Sequence, residues 1–323
     1  MKLSIITVNY RSWEHLQKAL DSLHPGFPQD WEIIVIDNES LPEPFNEFQE
    51  RYPWVTFVAN ERNSGFGVGC NLGAARASGE NLLFMNPDVV ATTENLRSLM
   101  RVLEQYPEIS LLSPRQVDAN GRPQKVSDEF PDLWNQSKTL KALFRILWPS
   151  RFGNARDNHA ELTFCDWITG SCLLISRKNF DAIGGWSDDY WMYVEDTDIC
   201  RKARDSGMGV ACASGVQVMH VHGGSSRINV EVKAMTKLEV IISKHVYTDK
   251  YFRGVRRKLM HLLIAMLRIP MLIIATLLDL LTLRLVPALR VRSKMLSGLL
   301  KYYAGVMTTG SWLSPRAREN QVA

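Results

Sequence analysis

The chain has 323 residues, of which 46% are hydrophobic and 22% charged, with a formal net charge of +4. These values are those of an ordinary globular protein, large enough for one large domain or two smaller ones. Its five cysteines are odd in number and form no CxxC pair, which argues against a disulfide framework and a zinc knuckle and favours a reducing compartment.

The charge is divided unevenly along the chain. Residues 227–323 hold 17 basic but only five acidic residues, a net charge of +12, which leaves −8 on residues 1–226. This shift predicts a boundary near residue 227. It would separate an acidic domain, residues 1–226, from a basic, leucine-rich and helical C-terminal region, residues 227–323.

Short β-branched segments alternate with helical patterns in the acidic domain, which predicts βαβ units and a largely parallel sheet. Four strands are expected first, at Leu3–Val8, Glu32–Ile36, Val55–Ala59 and Asn81–Met85. The apolar run at the N-terminus is too short for a signal peptide and is expected to be the first strand. Ligands of open α/β sheets bind outside the carboxyl ends of the strands, so the polar segments after these strands are expected to share one cleft.

Those polar segments are ambiguous when each is taken alone. Asp37 and Asn38 follow the second strand, where an Asx residue can simply turn the chain. The segment NSGFGVGCNLG, residues 63–73, has no GxGxxG spacing, and the chain has no GxxxxGK[ST], which disfavours a Rossmann oxidoreductase and a P-loop protein. The segment predicts an Asn-Ser-Gly turn before a helix N-terminus, where backbone can approach a phosphate.

A second polar group lies in GGWSDDYWMYVEDTDICRKARDSG, residues 184–207. Residues 195–205 are expected to form a short helix with Glu195, Asp196 and Asp198 in its first turn. An acid there stabilises a helix by about 0.3–1 kcal/mol, so capping alone can account for any one of them. With aromatic residues before them, the three acids also predict a sugar-binding face beside a general base. Those aromatic residues are Trp186, Tyr190, Trp191 and Tyr193.

Alternation of apolar residues from Val216 to Val221 predicts a strand on which His220 and His222 point to the same side. Each histidine is either a hydrogen-bonded structural residue or, beside the glycine turn that follows, a metal ligand.

Seven motifs, in their order along the chain, resemble those of the family 2 inverting glycosyltransferases. The resemblance covers about the first 230 residues and is nearest to the bacterial rhamnosyltransferase-like branch. It implies the GT-A fold, an α/β fold with a Rossmann-like, nucleotide-binding mixed sheet. The motifs are TVNY (7–10), IDNES (36–40), NSGFGVGCNLGA (63–74), FMNPDV (84–89), ITGSCLLISR (168–177), GGWSDDYWMYVEDTDICRKAR (184–204) and HVHGGSS (220–226).

The resemblance assigns several residues to the donor nucleotide-sugar. Asp37 resembles the aspartate that bonds the pyrimidine base. Asp88 resembles the last acid of a DxD motif, whose first position is Asn86 here, and would hold Mg2+ or Mn2+ on the donor diphosphate. One carboxylate supplies few ligands to a metal ion, so His220 is expected to add a ligand, with His222 as the second choice. The other residues assigned to the donor are Thr7, Asn9, Tyr10, Asn63, Gly65 and Asn71.

The resemblance also assigns the chemistry of transfer. Asp196 resembles the general base, which takes the proton of an acceptor hydroxyl as that oxygen attacks the anomeric carbon opposite the leaving diphosphate. Glu195 and Asp198 are expected to position the acceptor or to support Asp196. The residues expected to bind the acceptor are Trp186, Tyr190 and Trp191.

The implied reaction moves a sugar to a lipid-linked glycan. The branch favours dTDP-L-rhamnose as the donor. A UDP-hexose or a galactofuranose donor remains an alternative, as does a protein that binds sugar nucleotides without catalysis.

The C-terminal region contains a mostly apolar segment, residues 259–283, which Arg268, Pro270 and Asp279 interrupt. The ten residues between Arg268 and Asp279 are fewer than the roughly 18–20 that a membrane-spanning helix needs. Basic segments flank the apolar one, so amphipathic helices lying on an anionic membrane surface are expected, at the cytoplasmic face of the bacterial inner membrane. A membrane span and a helical docking or oligomer interface are the alternatives, and nucleic acid is not expected.

Overall fold

A computed structural model describes residues 1–39, 42–148, 158–159, 161–221 and 229–322. The chain divides into two compact units, which are described separately. The second unit takes two segments from the predicted domain of residues 1–226 in addition to the C-terminal region. The first unit comprises Met1–Phe130, Arg156–Ser187 and Glu195–Ser225, and the second comprises Pro131–Ala155, Asp188–Val194 and Ser226–Ala323.

The first unit is built on a mixed, largely parallel sheet, as predicted. Its strands are β1 (Leu3–Asn9), β2 (Trp31–Asn38), β3 (Val55–Asn60), β4 (Asn81–Met85), β5 (Val89–Val90), β6 (Ile109–Val117), β7 (Ser127–Asp128), β8 (Asn158–His159), β9 (Leu162–Phe164), β10 (Trp167–Ile168), β11 (Cys172–Ser176) and β12 (Gly209–His220). The main sheet has the order β3-β2-β1-β4-β11-β6-β12-β9-β8, with β5 also paired to β12, while β7 and β10 form a separate pair.

The predicted elements of this unit are confirmed. The first four strands agree with the predicted ones to within two residues, and the strand predicted for residues 216–221 is the end of the longer β12. The helix predicted for residues 195–205 is present with those bounds. The helices of the unit are α1 (Trp13–Leu23), α2 (Pro42–Arg51), α3 (Phe66–Arg76), α4 (Thr93–Gln105), α6 (Arg177–Ala182) and α7 (Glu195–Asp205).

The central strands are buried on both faces because helices cover both sides of the sheet. On one side, α3 packs directly on β1 through two glycines. A Cβ atom on Gly73 would lie 2.4 Å from Cγ2 of Ile6, and one on Gly69 would lie 2.9 Å from Cγ1 of Val8. These glycines of the NSGFGVGCNLG segment therefore serve close helix–strand packing.

The second unit is helical in its described residues. A buried cluster that includes Ile241, Met260, Leu299 and Tyr302 forms its core, and Tyr190 belongs to the same cluster. Its elements are a 3-10 helix (Leu133–Asn135), α5 (Lys138–Leu147), α8 (Val230–Tyr251), α9 (Gly254–Leu281), α10 (Pro287–Thr309) and α11 (Pro315–Val322).

The apolar segment of residues 259–283 is not divided into several helices. Most of it belongs to α9, a single helix of 28 residues that continues through Pro270. By length and composition alone, α9 is long and apolar enough to cross a membrane, and 22% of its most apolar 18-residue window is buried. The core helix of a soluble protein meets the same criterion.

A pair of histidines lies in the core of the second unit. The Nδ1 atoms of His245 and His261 are 2.8 Å apart, and Nε2 of His245 is 2.9 Å from the hydroxyl of Tyr303. The ring of His261 stacks on that of Trp312, with 3.7 Å between the ring centroids. Burial lowers the pKa of His245 from 6.5 to about 3 and that of His261 from 6.5 to about 4. Both side chains are therefore neutral at neutral pH.

Candidate active site

Parallel strand pairing brings together the residues predicted to bind the pyrimidine of the donor nucleotide. β1 and β2 run side by side, and their register sets Asn9 opposite Asp37 at the carboxyl ends of the two strands. Nδ2 of Asn9 donates a hydrogen bond of 2.8 Å to Oδ1 of Asp37, and both residues are buried. Thr7 is buried two residues earlier on the same face of β1, and Tyr10 follows, half-buried. These four side chains thus share one end of the sheet, as predicted, and their contact with a nucleotide stays a prediction.

The glycine-rich turn before α3 lies at the same strand ends. Nδ2 of Asn38, the last residue of β2, donates to the backbone oxygen of Gly65 over 3.0 Å, and Nδ2 of Asn60 donates to Oδ1 of Asn38 over 2.7 Å. Gly65 has φ of 88° and donates its N–H to Oδ1 of Asn63. Asn38 is therefore a bridge between strand ends as well as a turn residue, and it holds the predicted donor residues Asn63 and Gly65 in place.

The side-chain amide of Asn71 is hydrogen-bonded to the backbone of Trp186. Its Nδ2 donates to the backbone oxygen of Trp186 over 2.8 Å, and its Oδ1 accepts from the backbone N–H of Trp186 over 3.0 Å. The amide thus holds the segment before α7 against α3. A contact of Asn71 with the donor stays a prediction, and these two hydrogen bonds give the residue a structural role.

The pairing of β5 with β12 brings together Asp88 and His220, the two predicted metal ligands. Val89 lies opposite His220 in that pairing, and the backbone N–H of Val221 donates to the backbone oxygen of Asp88 over 2.9 Å. As a result, Nε2 of His220 lies 3.2 Å from Oδ1 of Asp88. Asn86, at the first position of the DxD-like motif, is half-buried close by in sequence. His222, the second choice of ligand, lies outside the described residues.

A buried glutamine fixes the orientation of the His220 ring. Oε1 of Gln116 lies 2.8 Å from Nδ1 of His220, and the Gln116 amide also bonds Oγ of Ser171 at 2.9–3.0 Å. An amide oxygen only accepts, so Nδ1 of His220 carries the proton of this contact. Nε2 of His220 faces the carboxylate of Asp88, and an imidazole nitrogen and a carboxylate oxygen at this distance can bind one cation between them.

The donor set fits part of a divalent metal site. A carboxylate oxygen and an imidazole nitrogen are both ligands for first-row divalent ions, and carboxylates also suit Mg2+. Among the residues that the structure describes, there is no group of three or more His, Cys, Asp or Glu side chains that could hold a metal ion. Asp88 and His220 would therefore act with oxygens of the donor diphosphate and water, as Mg2+ sites in nucleotide enzymes commonly do.

Of the three acids in the first turn of α7, Asp196 is the one with an exposed part. It is half-buried, whereas Glu195 and Asp198 are buried. Oδ1 of Asp196 accepts from the backbone N–H of Thr197 over 2.7 Å, and Oδ2 accepts from the backbone N–H of Gly170. Burial raises the pKa of Asp196 above its ordinary value, and these hydrogen bonds oppose the rise. A raised pKa suits a general base, because a base works best when its pKa approaches the working pH.

One loop is hydrogen-bonded both to Gln116, the partner of His220, and to the candidate general base Asp196. Ser171 bonds Gln116, which orients His220, and the neighbouring Gly170 bonds Asp196. A Cβ atom on Gly170 would lie 3.4 Å from Cβ of Asp196, so the loop passes close to the acid. Sequence reasoning missed Gln116 and gave Ser171 no role, although the ITGS motif marked the loop as part of the resemblance.

The aromatic residues assigned to the acceptor are buried. Trp186 packs edge-on against Phe84 in the core of the first unit, with 5.2 Å between ring centroids. Tyr190 lies in the core of the second unit, and Trp191 lies beneath the guanidinium of Arg316 at 4.5 Å. A buried ring has no free face on which a pyranose can stack. The three rings therefore serve packing in this structure, and a role towards the acceptor stays a prediction.

The chain is similar to known glycosyltransferases. Residues 4–184 match the model of glycosyl transferase family 2. An N-acetylglucosaminyl-diphospho-decaprenol L-rhamnosyltransferase of Mycobacterium tuberculosis is 24% identical over 233 residues, which cover 68% of this chain and 75% of that protein. Rhamnosyltransferase WbbL of Escherichia coli is 23% identical over 226 residues, which cover 67% of this chain and 82% of that protein.

Among solved structures, this chain resembles in fold the mannosyltransferase PcManGT of Pyrobaculum calidifontis, which was solved in complex with GDP-Man and Mn2+. Its TM-score is 0.52 at 14% identity, over 99% of this chain and 79% of that one. The family model covers more than half of the chain. The chain therefore belongs to glycosyl transferase family 2, and it is a glycosyltransferase with the GT-A fold.

Proposed function

We propose that this glycosyltransferase inverts the configuration of the sugar that it moves, and that the sugar is L-rhamnose from dTDP-L-rhamnose. The acceptor would be a hydroxyl of a lipid-linked glycan in the synthesis of a cell-surface polysaccharide such as O-antigen. The observation that carries this proposal is the half-buried Asp196 with its raised pKa, in the same unit as the Asp88–His220 pair. The names of two relatives as rhamnosyltransferases support the choice of sugar.

The nucleotide would bind at the ends of β1 and β2. The carboxylate of Asp37 would accept a hydrogen bond from an N–H of the pyrimidine base, while the Asn9 amide holds that carboxylate in place. The backbone of the turn at Gly65 would approach the diphosphate, because the N-terminus of α3 follows directly.

Asp88 and His220 would hold the divalent cation, Mg2+ or Mn2+. When bound, this ion supplies positive charge that offsets the charge developing on the leaving nucleoside diphosphate. The half-buried position of Asp88 and the buried ring of His220 limit competition from water at this pair.

Transfer would be a single displacement. Asp196 would take the proton of the acceptor hydroxyl while that oxygen forms a bond to the anomeric carbon. The bond between that carbon and the diphosphate oxygen breaks at the same time, and its electron pair leaves with the nucleoside diphosphate. Attack opposite the leaving group inverts the configuration. Glu195 and Asp198, both buried in the same helical turn, would support the position of Asp196.

We also propose that the protein is peripheral at the cytoplasmic face of the bacterial inner membrane. Between Arg253 and Lys301 the sequence has ten basic residues and one acid, Asp279, which is buried and accepts a hydrogen bond from Ser293. Large apolar side chains of α9 are exposed beside this positive charge. Exposed apolar and cationic residues together favour an anionic lipid surface, where a lipid-linked acceptor would be found.

A donor panel tests the proposed reaction. The purified chain with Mg2+ or Mn2+ would be incubated with dTDP-, UDP- and GDP-sugars, and thermal stabilisation and slow donor hydrolysis would be measured. We expect selective stabilisation by dTDP-L-rhamnose, and loss of hydrolysis when EDTA is added. A preference for a UDP-hexose or a galactofuranose donor would replace the sugar in the proposal. No response to any sugar nucleotide would favour a non-catalytic protein.

A further inference from the structure

Helix α5 presents its apolar side to solvent. A helix on the surface of a soluble protein normally buries its apolar stripe, but α5 has no buried residue. Ile146 is 77% exposed, and Leu147 and Trp148 are each 55% exposed. Leu143 is also exposed, one turn before Leu147 on the same face. The second unit therefore carries an outward apolar stripe that does not belong to the C-terminal region.

The opposite side of α5 is basic. Lys138, Lys141 and Arg145 follow one another at helical spacing of three and four residues, so they share a face. Lys141 lies over the ring of Trp134, 5.5 Å from its centroid, which turns this basic face towards the preceding 3-10 helix. From Leu133 to Trp148 the sequence has no acidic residue. The helix and the exposed tryptophan at its end thus combine apolar surface with positive charge only.

The C-terminal helices of the same unit also combine exposed apolar side chains with basic residues. The 3-10 helix before α5 contacts α9, and Arg256 of α9 pairs with Asp132 just before that 3-10 helix at 2.5 Å. In α9, Leu259, Leu262 and Met266 are exposed at spacings of three and four residues. Two segments that are far apart in sequence therefore expose apolar side chains next to cations in one compact unit.

We propose that α5, with Trp148, is a second element that contacts a membrane surface of anionic lipid. Leu143 and Leu147, with Trp148 at the end of the helix, enter the boundary between headgroups and acyl chains, and Lys138 lies at the phosphates. Tryptophan is enriched at this boundary because its ring is apolar and its N–H is polar. Lipid is favoured over a protein partner because an apolar face opposite a face of basic residues is the pattern of a helix that lies on an anionic lipid surface. The inference rests on the proposed membrane location but not on the proposed reaction.

The test is vesicle binding by the full chain. Cosedimentation would be measured with vesicles of phosphatidylcholine alone and of phosphatidylcholine mixed with phosphatidylglycerol. Leu147→Gln removes an apolar side chain without changing charge, and we expect it to weaken binding to the mixed vesicles about tenfold. Ala142→Gln, also exposed on α5 but on the face of Lys138 and Arg145, is the matched control and should bind within about twofold of the unchanged chain.

A second measurement reports insertion directly. Tryptophan fluorescence quenching by brominated lipid would be compared between the unchanged chain and Trp148→Phe, and the difference is the signal of Trp148. We expect brominated lipid to quench the fluorescence of the unchanged chain, and we expect this quenching to be reduced in Trp148→Phe by the contribution of Trp148. Equal vesicle binding by Leu147→Gln and Ala142→Gln, or no quenching of Trp148, would overturn the inference. A change of oligomeric state in Leu147→Gln with unchanged vesicle binding would also overturn it and would assign the stripe to a second copy of the chain.

Donor hydrolysis without vesicles separates this inference from the proposed function. Leu147→Gln lies outside the candidate active site and should hydrolyse the donor at the unchanged rate. If the donor panel fails while vesicle binding depends on Leu147, the proposed reaction is wrong and the membrane element stands.

Discussion

The buried histidine pair of the second unit makes the protein sensitive to mild acid. His245 and His261 have pKa values of about 3 and about 4 in the folded chain, against 6.5 in the unfolded chain. The unfolded chain therefore binds protons below pH 6.5 that the folded chain does not bind. The pair's contribution to stability is fully present above pH 6.5 and is lost as the pH falls from there towards 4 and 3.

The size of this loss follows from the two pKa shifts. At pH 5 each histidine of the unfolded chain is almost fully protonated, and each contributes a loss of about 2 kcal/mol, or about 4 kcal/mol for the pair. Glu239, buried in the same unit, opposes this, because burial raises its pKa from 4.5 to about 6 and protonation then stabilises the folded chain by about 1 kcal/mol at pH 5. The net loss of about 3 kcal/mol is a large part of the 5–15 kcal/mol typical of a folded protein.

The assay is urea unfolding followed by far-ultraviolet circular dichroism at pH 7.5 and pH 5. We expect the free energy of unfolding to fall by up to about 3 kcal/mol on acidification, because the raised pKa of Asp196 opposes the loss as Glu239 does. In His245→Gln/His261→Gln the loss of stacking lowers stability at both pH values, but the fall on acidification should disappear and leave the rise of about 1 kcal/mol that Glu239 contributes. A free energy that does not change between pH 7.5 and pH 5 in the unchanged chain would refute the reasoning, and so would a double variant with the same pH dependence.

Three further predictions concern the first unit. Gln116→Leu should weaken Mn2+ binding about 10–100-fold, measured by electron paramagnetic resonance of free Mn2+, because His220 loses the acceptor that fixes its ring; equal affinity would contradict the role of Gln116. The transfer rate should fall as the pH drops through the raised pKa of Asp196, because the protonated acid cannot act as a base; a rate that rises with acid would contradict this. Gly73→Ala should destabilise the chain by about 1–3 kcal/mol in urea unfolding, because its Cβ would overlap β1, whereas Gly305→Ala in α10 has open space around it and should not destabilise; equal effects would contradict the packing argument.

The parts of the fold that were predicted from the sequence depend on local pattern. The strands near Leu3, Glu32, Val55 and Asn81 are short apolar runs bounded by polar turns, and α7 is bounded by acids at its start and Gly207 after its end. Each of these signals lies within about ten residues of the chain. The sheet edge shared by the strand ends then follows from the rules of parallel α/β sheets.

The parts that were not predicted depend on distant contacts. Gln116 reaches His220 across 104 residues of sequence and Ser171 across 55. No local pattern marks a glutamine in a buried strand as the partner of a histidine. Burial of Trp186 and Tyr190 was missed for the same reason: an aromatic beside acids has the same local sequence whether its ring faces a sugar or the core. The second unit takes in residues 131–155 and 188–194 through contacts that the charge boundary near residue 227 does not reflect.

The measurement that tests the central claim most directly is the comparison of Asp196→Asn with the unchanged chain in donor binding and in transfer. Asparagine keeps the size of the side chain and an oxygen that accepts hydrogen bonds, but it cannot take a proton. The account predicts unchanged thermal stabilisation by the donor and a transfer rate lower by about 10²-fold or more. Transfer at a near-normal rate by Asp196→Asn would contradict the assignment of the base, and with it the proposed mechanism.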